Sequence, residues 1–311
     1  MLGIRNEFDP LQLVILGTGI GLKAEADPAL QQGLPKTSAL YSQPDPKLTE
    51  REFEGVCRAL EQLGTVVQRP DIVDSPEVVD QTCPRDIGFV IDDLYFEANS
   101  RYASRNIEHL GIDPLLKDIE PPRYIKIPKD VFLEGGDVMP APGKLFLGLG
   151  ARSSREGIEW LADVLHQRGS TREIVIIPHD VLHLDCCWNV IGPDLALWCE
   201  AATGTFTDLK GGSVHLNFET IPVNRTEQAA LATNVLVARP GHILARDDAA
   251  CEPINKILES RYGFSVERLP FDCVPSIGGS FRCATLPLRR CLLYTSPSPR
   301  DISGSRMPSS A

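Results

Sequence analysis

A chain of 311 residues, 42% hydrophobic and 23% charged, is long enough for one large domain or two small ones and has the balance of a globular protein with a sizeable core. Its formal net charge of −11 argues against a nucleic-acid partner, because phosphate binding wants a basic face, and suits a cationic small molecule. No stretch reaches the roughly 20 apolar residues that span a bilayer, and MLGIRNEFDP lacks the basic start and apolar centre of a signal peptide. We therefore expect a cytoplasmic protein without membrane contact, its nine cysteines reduced.

In chain order, LQLVILGTG opens as a lone strand. Residues 22–47, with Pro28, Pro35, Pro44 and Pro46, form a long irregular insertion, the kind of segment that often serves as a lid. KLTEREFEGVCRALEQLG predicts a helix: Thr49 and Glu52 form a capping box, Phe53, Val56, Cys57, Leu60 and Leu63 recur at helical spacing, and Gly64 stops it. SSREGIEWLADVLHQRG repeats the scheme with Ser153 and Glu156 as the box and Ile158, Leu161, Ala162 and Leu165 as the stripe. EPINKILESRYG adds Ile254, Ile257 and Leu258 before Gly263. Each helix leads into a short strand that ends at proline: TVVQRP, EIVIIP and FSVERLP.

Between the helices lie strand pairs joined by turn signals: GFVIDDLYFEA, VMPAPGKLFLG, VIGPDLALW and VLVARPGHILA. Each follows a polar residue directly or after one intervening residue, in turn Asp86, Asp137, Asn189 and Asn234, and Cys283 continues the series. A period of about 50 residues marks a repeat, here strand, strand, helix, strand. The last strand, ATLPLRR, has no partner after it and LQLVILGTG none before it. We expect the two to pair and close a ring, making residues 1–290 one α/β domain. The alternative is two doubly wound domains with a boundary near IEPPRYIKIP.

Residues 291–311 show no apolar periodicity. CLLYTSPSPRD and SRMPSSA read as translations of the adaptor of a transposase-based sequencing library, with Ile302, Ser303 and Gly304 where a variable index would lie. This segment is set aside from the fold, and native residues after Arg290 are expected to be missing. The acidic balance persists without Arg300, Asp301 and Arg306.

Four motifs sit at equivalent places in the repeat: CPRD (83–86), LEGGD (133–137), HLD (183–185) and GGSFRC (278–283). In a ring, equivalent positions converge on the axis, which would gather a thiol, an imidazole and several carboxylates. The glycines before Cys283 allow backbone geometry that a Cβ resists. His183 and Asp185, two apart on a strand, would face one pocket. Glu134 could hold the imidazole and stabilise its cation. Asp86 after Arg85 could equally be one half of a structural ion pair. A metal site from His183, Cys186 and Cys187 is disfavoured, because neighbours on a strand point to opposite faces.

These segments resemble the amidinotransferase and arginine deiminase superfamily, guanidino-modifying enzymes with a five-bladed, pseudosymmetric α/β propeller, the pentein fold. RNEFDPLQLVILG resembles the opening of bacterial amidinotransferases, CPRD their aspartate motif, HLDCCWNVIGPDLALW their histidine segment and GGSFRCATLPLRR their cysteine segment, so the likeness runs over residues 4–290. The resemblance implies Cys283 as nucleophile, His183 as general acid and base, and Glu134 as its orienting partner. It implies Asp86 and Asp185 as the grip on a guanidinium and Arg105 as an arginine near the substrate carboxylate. No metal and no cofactor is implied. Two departures point away from transfer: LEGGD is more like arginine deiminases and dimethylargininases, and Ala232 stands where transferases place a substrate-contacting serine.

A thiolate is the strongest nucleophile a side chain offers near neutral pH, and a delocalised guanidinium carbon needs one. Attack would give a tetrahedral adduct, His183 would protonate the departing amine, and a thiouronium would remain. An incoming amine would complete an amidinotransferase cycle; water would complete a hydrolase cycle. The expected partners are a small guanidino substrate, arginine or a relative, and an amine acceptor. Exposed propeller edges could also pair two copies as a homodimer. A non-catalytic propeller like the ribosome anti-association factors is the remaining alternative, and it would have no need of Cys283, His183, Glu134 and Asp86 together.

Deleting residues 291–311 is expected to leave activity and melting temperature unchanged, since adaptor-derived residues were never selected to pack. A marked drop in melting temperature would show instead that the segment belongs to the protein.

Overall fold

The computed structural model describes residues 2–22 and 44–291. Most of the 22–47 insertion and all of the tail beyond Cys291 lie outside the described residues.

Five three-stranded sheets stand around a common axis as blades. The first contains β1 (Leu11–Leu16), β2 (Val66–Gln68) and β15 (Thr285–Arg290). The second is β3 (Gly88–Ile91), β4 (Leu94–Glu97) and β5 (Tyr124–Lys126). The third is β6 (Val138–Ala141), β7 (Lys144–Leu149) and β8 (Glu173–Pro178). The fourth is β9 (Trp188–Gly192), β10 (Leu195–Trp198) and β11 (Glu219–Pro222). The fifth is β12 (Leu236–Arg239), β13 (His242–Arg246) and β14 (Ser265–Leu269). In every blade the middle strand pairs antiparallel with the inner partner and parallel with the outer one. The parallel pairing demands a crossover, which is where the repeat puts its helix. The ring is the five-bladed α/β propeller expected from the sequence, and β1 and β15 close it in antiparallel register from Leu11↔Arg290 to Leu16↔Thr285. Tyr124–Lys126, at the boundary of the two-domain alternative, is the third strand of the second blade.

Crossovers in three blades are the helices α1 (Pro46–Gln62), α2 (Arg155–Gln167) and α3 (Glu252–Tyr262). They bury the apolar stripes read from the sequence: Phe53, Val56 and Leu60; Ile158, Leu161 and Leu165; Ile254 and Leu258. Each such side chain contributes about 1.5–3 kcal/mol when taken fully from water. Gly263 ends α3 at φ 71°, the left-handed conformation that favours glycine.

The helix starts differ from expectation. Asp45 caps α1 by accepting from Lys47 N at 2.8 Å, with Pro46 in the first turn, so the helix begins before the Thr49 box. Glu52 instead accepts from the backbone N–H groups of Asp272 and Cys273, at 3.0 and 2.9 Å, and ties the helix to the fifth blade's exit. Ser154, not Ser153, caps α2. Asn189 lies inside β9 rather than before it. The second blade crosses over through short helical pieces at Ala103–Ile107 and Asp113–Leu116, and the fourth through Glu200–Ala202 and an irregular run over 203–218. No helix among the described residues is long and apolar enough to cross a membrane.

Each blade is entered through one tight turn: Pro84–Ile87, Gly135–Asp137, Leu184–Cys186, and the turns at 231–233 and 281–284. These five turns crowd the axis, and they carry the four sequence motifs.

Candidate active site

Glu134 stands in extended backbone just ahead of the third blade's turn and is wholly buried. Its Oε2 lies 2.7 Å from His183 Nε2, while Oε1 accepts from Ser100 Oγ at 2.5 Å and meets Arg152 Nη1 at 3.5 Å. Arg152 in turn lies over the Tyr102 ring, 4.3 Å from its centroid. The two glycines that follow serve close approach. A Cβ on Gly135 would fall 2.2 Å from the Arg85 carbonyl oxygen, and one on Gly136 would fall 2.6 Å from His183 Cγ. Any larger residue at 136 would push the imidazole off its carboxylate.

Asp137 anchors the turn that bears His183. Its Oδ1 accepts from Leu184 N at 2.7 Å and lies 3.0 Å from His179 Nε2, and Oδ2 accepts from Ser153 Oγ at 2.5 Å. Pinned there, residues Leu184–Cys186 wind into a single 3-10 turn instead of a strand. The alternation argument for His183 and Asp185 therefore does not apply: His183 turns to Glu134 and Asp86, and Asp185 to Cys283.

His183 Nδ1 is 3.6 Å from Asp86 Oδ1, and neither atom has a hydrogen-bond partner although both are buried. Burial works against the imidazolium, but Asp86, the bond to Glu134 and Asp137 outweigh it and lift the His183 pKa to about 10. Burial lifts Asp86 to about 6 against the pull of His183 and Arg105. Burial also opposes the charge of Glu134, yet Arg152 and His183 bring it down to about 2. A cationic imidazole between two carboxylates is thus the resting arrangement.

Asp86 Oδ2 accepts from Arg105 Nη2 at 3.1 Å. The Arg105 guanidinium also meets Glu108 Oε1 at 2.8 Å and the Cys83 carbonyl at 3.0 Å. With these partners it is committed to holding Asp86. Arg85 pairs not with its neighbour Asp86 but with Glu7, at 3.4 Å.

Cys283 is buried in the turn before β15. Gly278, at φ 101°, and Gly279 lead into it, and a Cβ on Gly279 would meet Cys83 Sγ at 2.6 Å. Asp185 Oδ2 and Oδ1 lie 3.6 and 3.7 Å from Cys283 Sγ. Asn234, prominent in the sequence only as a repeat marker, is a site residue that the sequence reading missed. Its Nδ2 donates to Cys283 Sγ at 3.1 Å and to the Asp185 carbonyl at 3.2 Å, and its Oδ1 accepts from Cys283 N at 3.2 Å. The preceding turn holds Leu231 at φ 62°, a left-handed conformation costing a non-glycine residue about 1–2 kcal/mol. Glu7 was missed as well. It lies 2.6 Å from Arg282 Nη1, and although burial opposes its charge, Arg282, Arg85 and Arg290 lower its pKa to about 2.

Among the described residues, two groups have ligand-type atoms close enough to share a cation: Asp86 with Glu134 and His183, and Asp185 with Cys186 and Cys283. The first already holds the imidazolium. The trio His183, Cys186 and Cys187 is not brought together, since Cys187 Sγ turns back to the Leu184 carbonyl at 3.3 Å.

A family model described as arginine deiminase matches residues 79–203, the stretch that contains Asp86, Glu134, His183 and Asp185. A putative inosamine-phosphate amidinotransferase of Streptomyces griseus is 27% identical over 93% of this chain and 97% of its own length. An amidinotransferase of Microseira wollei from the saxitoxin biosynthetic pathway superposes with a TM-score of 0.77 at 22% identity, covering 95% and 99% of the two chains. This chain is similar to arginine deiminases over residues 79–203 and to amidinotransferases over nearly its whole length. The fold is similar to that of DDAH from Pseudomonas aeruginosa too, solved with citrulline, which superposes with a TM-score of 0.67 at 17% identity over 89% of this chain and 99% of that one. The chain thus shares its fold with both of these proteins.

The Glu134–His183 pair has a signature in pH. A histidine titrates near 6.5 when unperturbed and His183 near about 10, so its raised pKa stabilises the fold fully below about pH 6.5 and ceases to do so as pH rises through about 10. Glu134→Gln should shrink that alkaline loss and cost about 3–5 kcal/mol near neutral pH, because Arg152 and His183 lose a buried counter-ion. Urea unfolding at stepped pH measures both. An unchanged alkaline slope in the variant would show that Glu134 does not hold the imidazolium.

Proposed function

We propose that this enzyme moves the amidino group of arginine to an acceptor amine through a thiouronium on Cys283. The observation that carries a guanidino substrate is the pair of bare buried atoms at the axis, Asp86 Oδ1 and His183 Nδ1. An unpaired buried carboxylate oxygen is costly, and a planar guanidinium supplies paired N–H donors to satisfy it. Asp185, on the other side of the thiol, offers a second carboxylate.

In this reading Cys283 Sγ attacks the guanidinium carbon and the adduct's charge rests among Asp86 and Asp185. With Nε2 bound to Glu134, the proton on His183 Nδ1 goes to the leaving nitrogen. Protonating the substituted nitrogen breaks its bond to the central carbon and releases ornithine, leaving an amidino group on sulfur. The acceptor amine then gives a proton to His183, attacks that carbon and expels the thiolate. What supports transfer is that relatives and structures similar over nearly the whole chain are described as amidinotransferases. Hydrolysis is the second reading, favoured by the Glu-Gly-Gly-Asp turn. There the proton goes to a terminal nitrogen, ammonia leaves, and water releases citrulline from the sulfur.

The products separate the two. With arginine and a panel of primary amines that includes glycine, lysine and amino-cyclitols, transfer yields ornithine only when an amine is present, with a new guanidino compound and no citrulline. Citrulline and ammonia in equal amounts from arginine alone, or citrulline from methylated arginine, would overturn transfer.

A further inference from the structure

We infer that Cys186 is a resolving thiol for Cys283, so that oxidation of the nucleophile by a hydroperoxide ends in a reversible Cys186–Cys283 disulfide. Three of the nine cysteines, Cys83, Cys186 and Cys283, gather at the axis, and all are free thiols. Cys186 Sγ, Cys283 Sγ and an Asp185 carboxylate oxygen lie within 4.8 Å of one another. A disulfide needs the sulfurs at about 2.05 Å, and both residues ride on turns rather than strands, so side-chain rotation can bring them together.

Asp185 is the feature that distinguishes this pair. Its Oδ1 accepts from Cys186 Sγ at 3.6 Å and lies 3.7 Å from Cys283 Sγ. Contact with Cys283 and burial both push the Cys186 thiol well above its ordinary range, so it stays protonated and unreactive until a neighbouring base takes the proton. Cys83 is the other neighbour, but its Sγ contacts Thr82 Oγ1 at 3.6 Å, with no hydrogen bond to a carboxylate among the described residues.

The chemistry balances with one hydroperoxide. Asp185 takes the Cys283 proton, the thiolate attacks the outer oxygen, the O–O bond breaks, the sulfur is oxidised to a sulfenic acid, and the departing alkoxide takes that proton from Asp185 and leaves as an alcohol, or as water from hydrogen peroxide. The Cys186 sulfur then attacks the Cys283 sulfur, Asp185 receives its proton, the S–O bond breaks, and hydroxide takes that proton and departs as water. The disulfide removes the nucleophile from turnover, shields it from irreversible oxidation, and yields to a small thiol reductant. Both sulfurs are almost wholly covered, which fits a small oxidant. The inference requires a reactive Cys283 but not a choice between transfer and hydrolysis.

The test treats the parent, Cys186→Ser, Cys186→Ala and Cys83→Ser with hydrogen peroxide, blocks remaining thiols under denaturing conditions and maps peptides by mass. The parent should give a Cys186–Cys283 cross-linked peptide two hydrogens lighter than its parts and regain activity with dithiothreitol. Both Cys186 variants should carry two added oxygens on Cys283 and stay oxidised under dithiothreitol, and Cys83→Ser should behave as the parent. A Cys83–Cys283 link in the parent, or equal over-oxidation of Cys283 with and without Cys186, would overturn the inference. So would an unmodified Cys283 in parent enzyme that turns arginine over, a control that separates this failure from failure of the proposed function.

Discussion

The antiparallel seam between β1 and β15 is the constraint on which the site depends. It joins strands from opposite ends of the described chain, in register from Leu11↔Arg290 to Leu16↔Thr285. Cys283 sits two residues before that seam, so the pairing that closes the ring also fixes the thiol at the axis. The neighbouring blade locks the position from the other side, where Arg85 N donates to the Cys283 carbonyl at 3.2 Å, and the seam itself continues past β1 as Gly17 N donates to the Ala284 carbonyl at 2.9 Å. Gly17 must be glycine for this, because a Cβ there would fall 2.1 Å from the Thr82 carbonyl oxygen. Closing so long a loop adds little beyond a shorter one, since the entropy grows only with the logarithm of length.

Once closed, the ring forces charge into its centre. Asp86, Glu134, Asp137 and Asp185 are all buried, and each has a cationic or ionisable neighbour: Arg105, Arg152, His179 and Arg282 in turn. Such networks are weak contributors to stability, because desolvation offsets most of the attraction. Their value is in holding groups at set protonation states. His183 is the cation left between two carboxylates, and Asp86 keeps one oxygen without a donor. A site arranged in this way favours a substrate that brings its own positive charge and its own N–H groups.

Much of this was legible in the sequence because a ring turns repetition into proximity. Polar residues recurring about every 50 positions identify the blade entries, and those entries meet at the axis, so Asp86, Glu134, His183 and Cys283 could be assigned to one place before any distance was known. The legible part stopped at direction. Asn234 was placed by the repeat, but nothing in its spacing says that its amide reaches Cys283. Glu7 was invisible because its partners, Arg85 and Arg282, lie in other motifs far along the chain. The pairing of His183 with Asp185 on one face failed because Asp137 pins Leu184 and winds the segment into a turn. The capping boxes misplaced helix starts because Glu52 and Ser153 had tertiary partners that outweigh a local cap.

The role of Cys283 is open to direct measurement. Arginine labelled with heavy carbon in its guanidinium would be mixed with enzyme, quenched in acid during turnover, and the label located by peptide mass. The account predicts label on Cys283 alone in the parent, and neither adduct nor product with Cys283→Ala. Label on Cys83 or Cys186, or product formed by the folded Cys283→Ala protein, would contradict it.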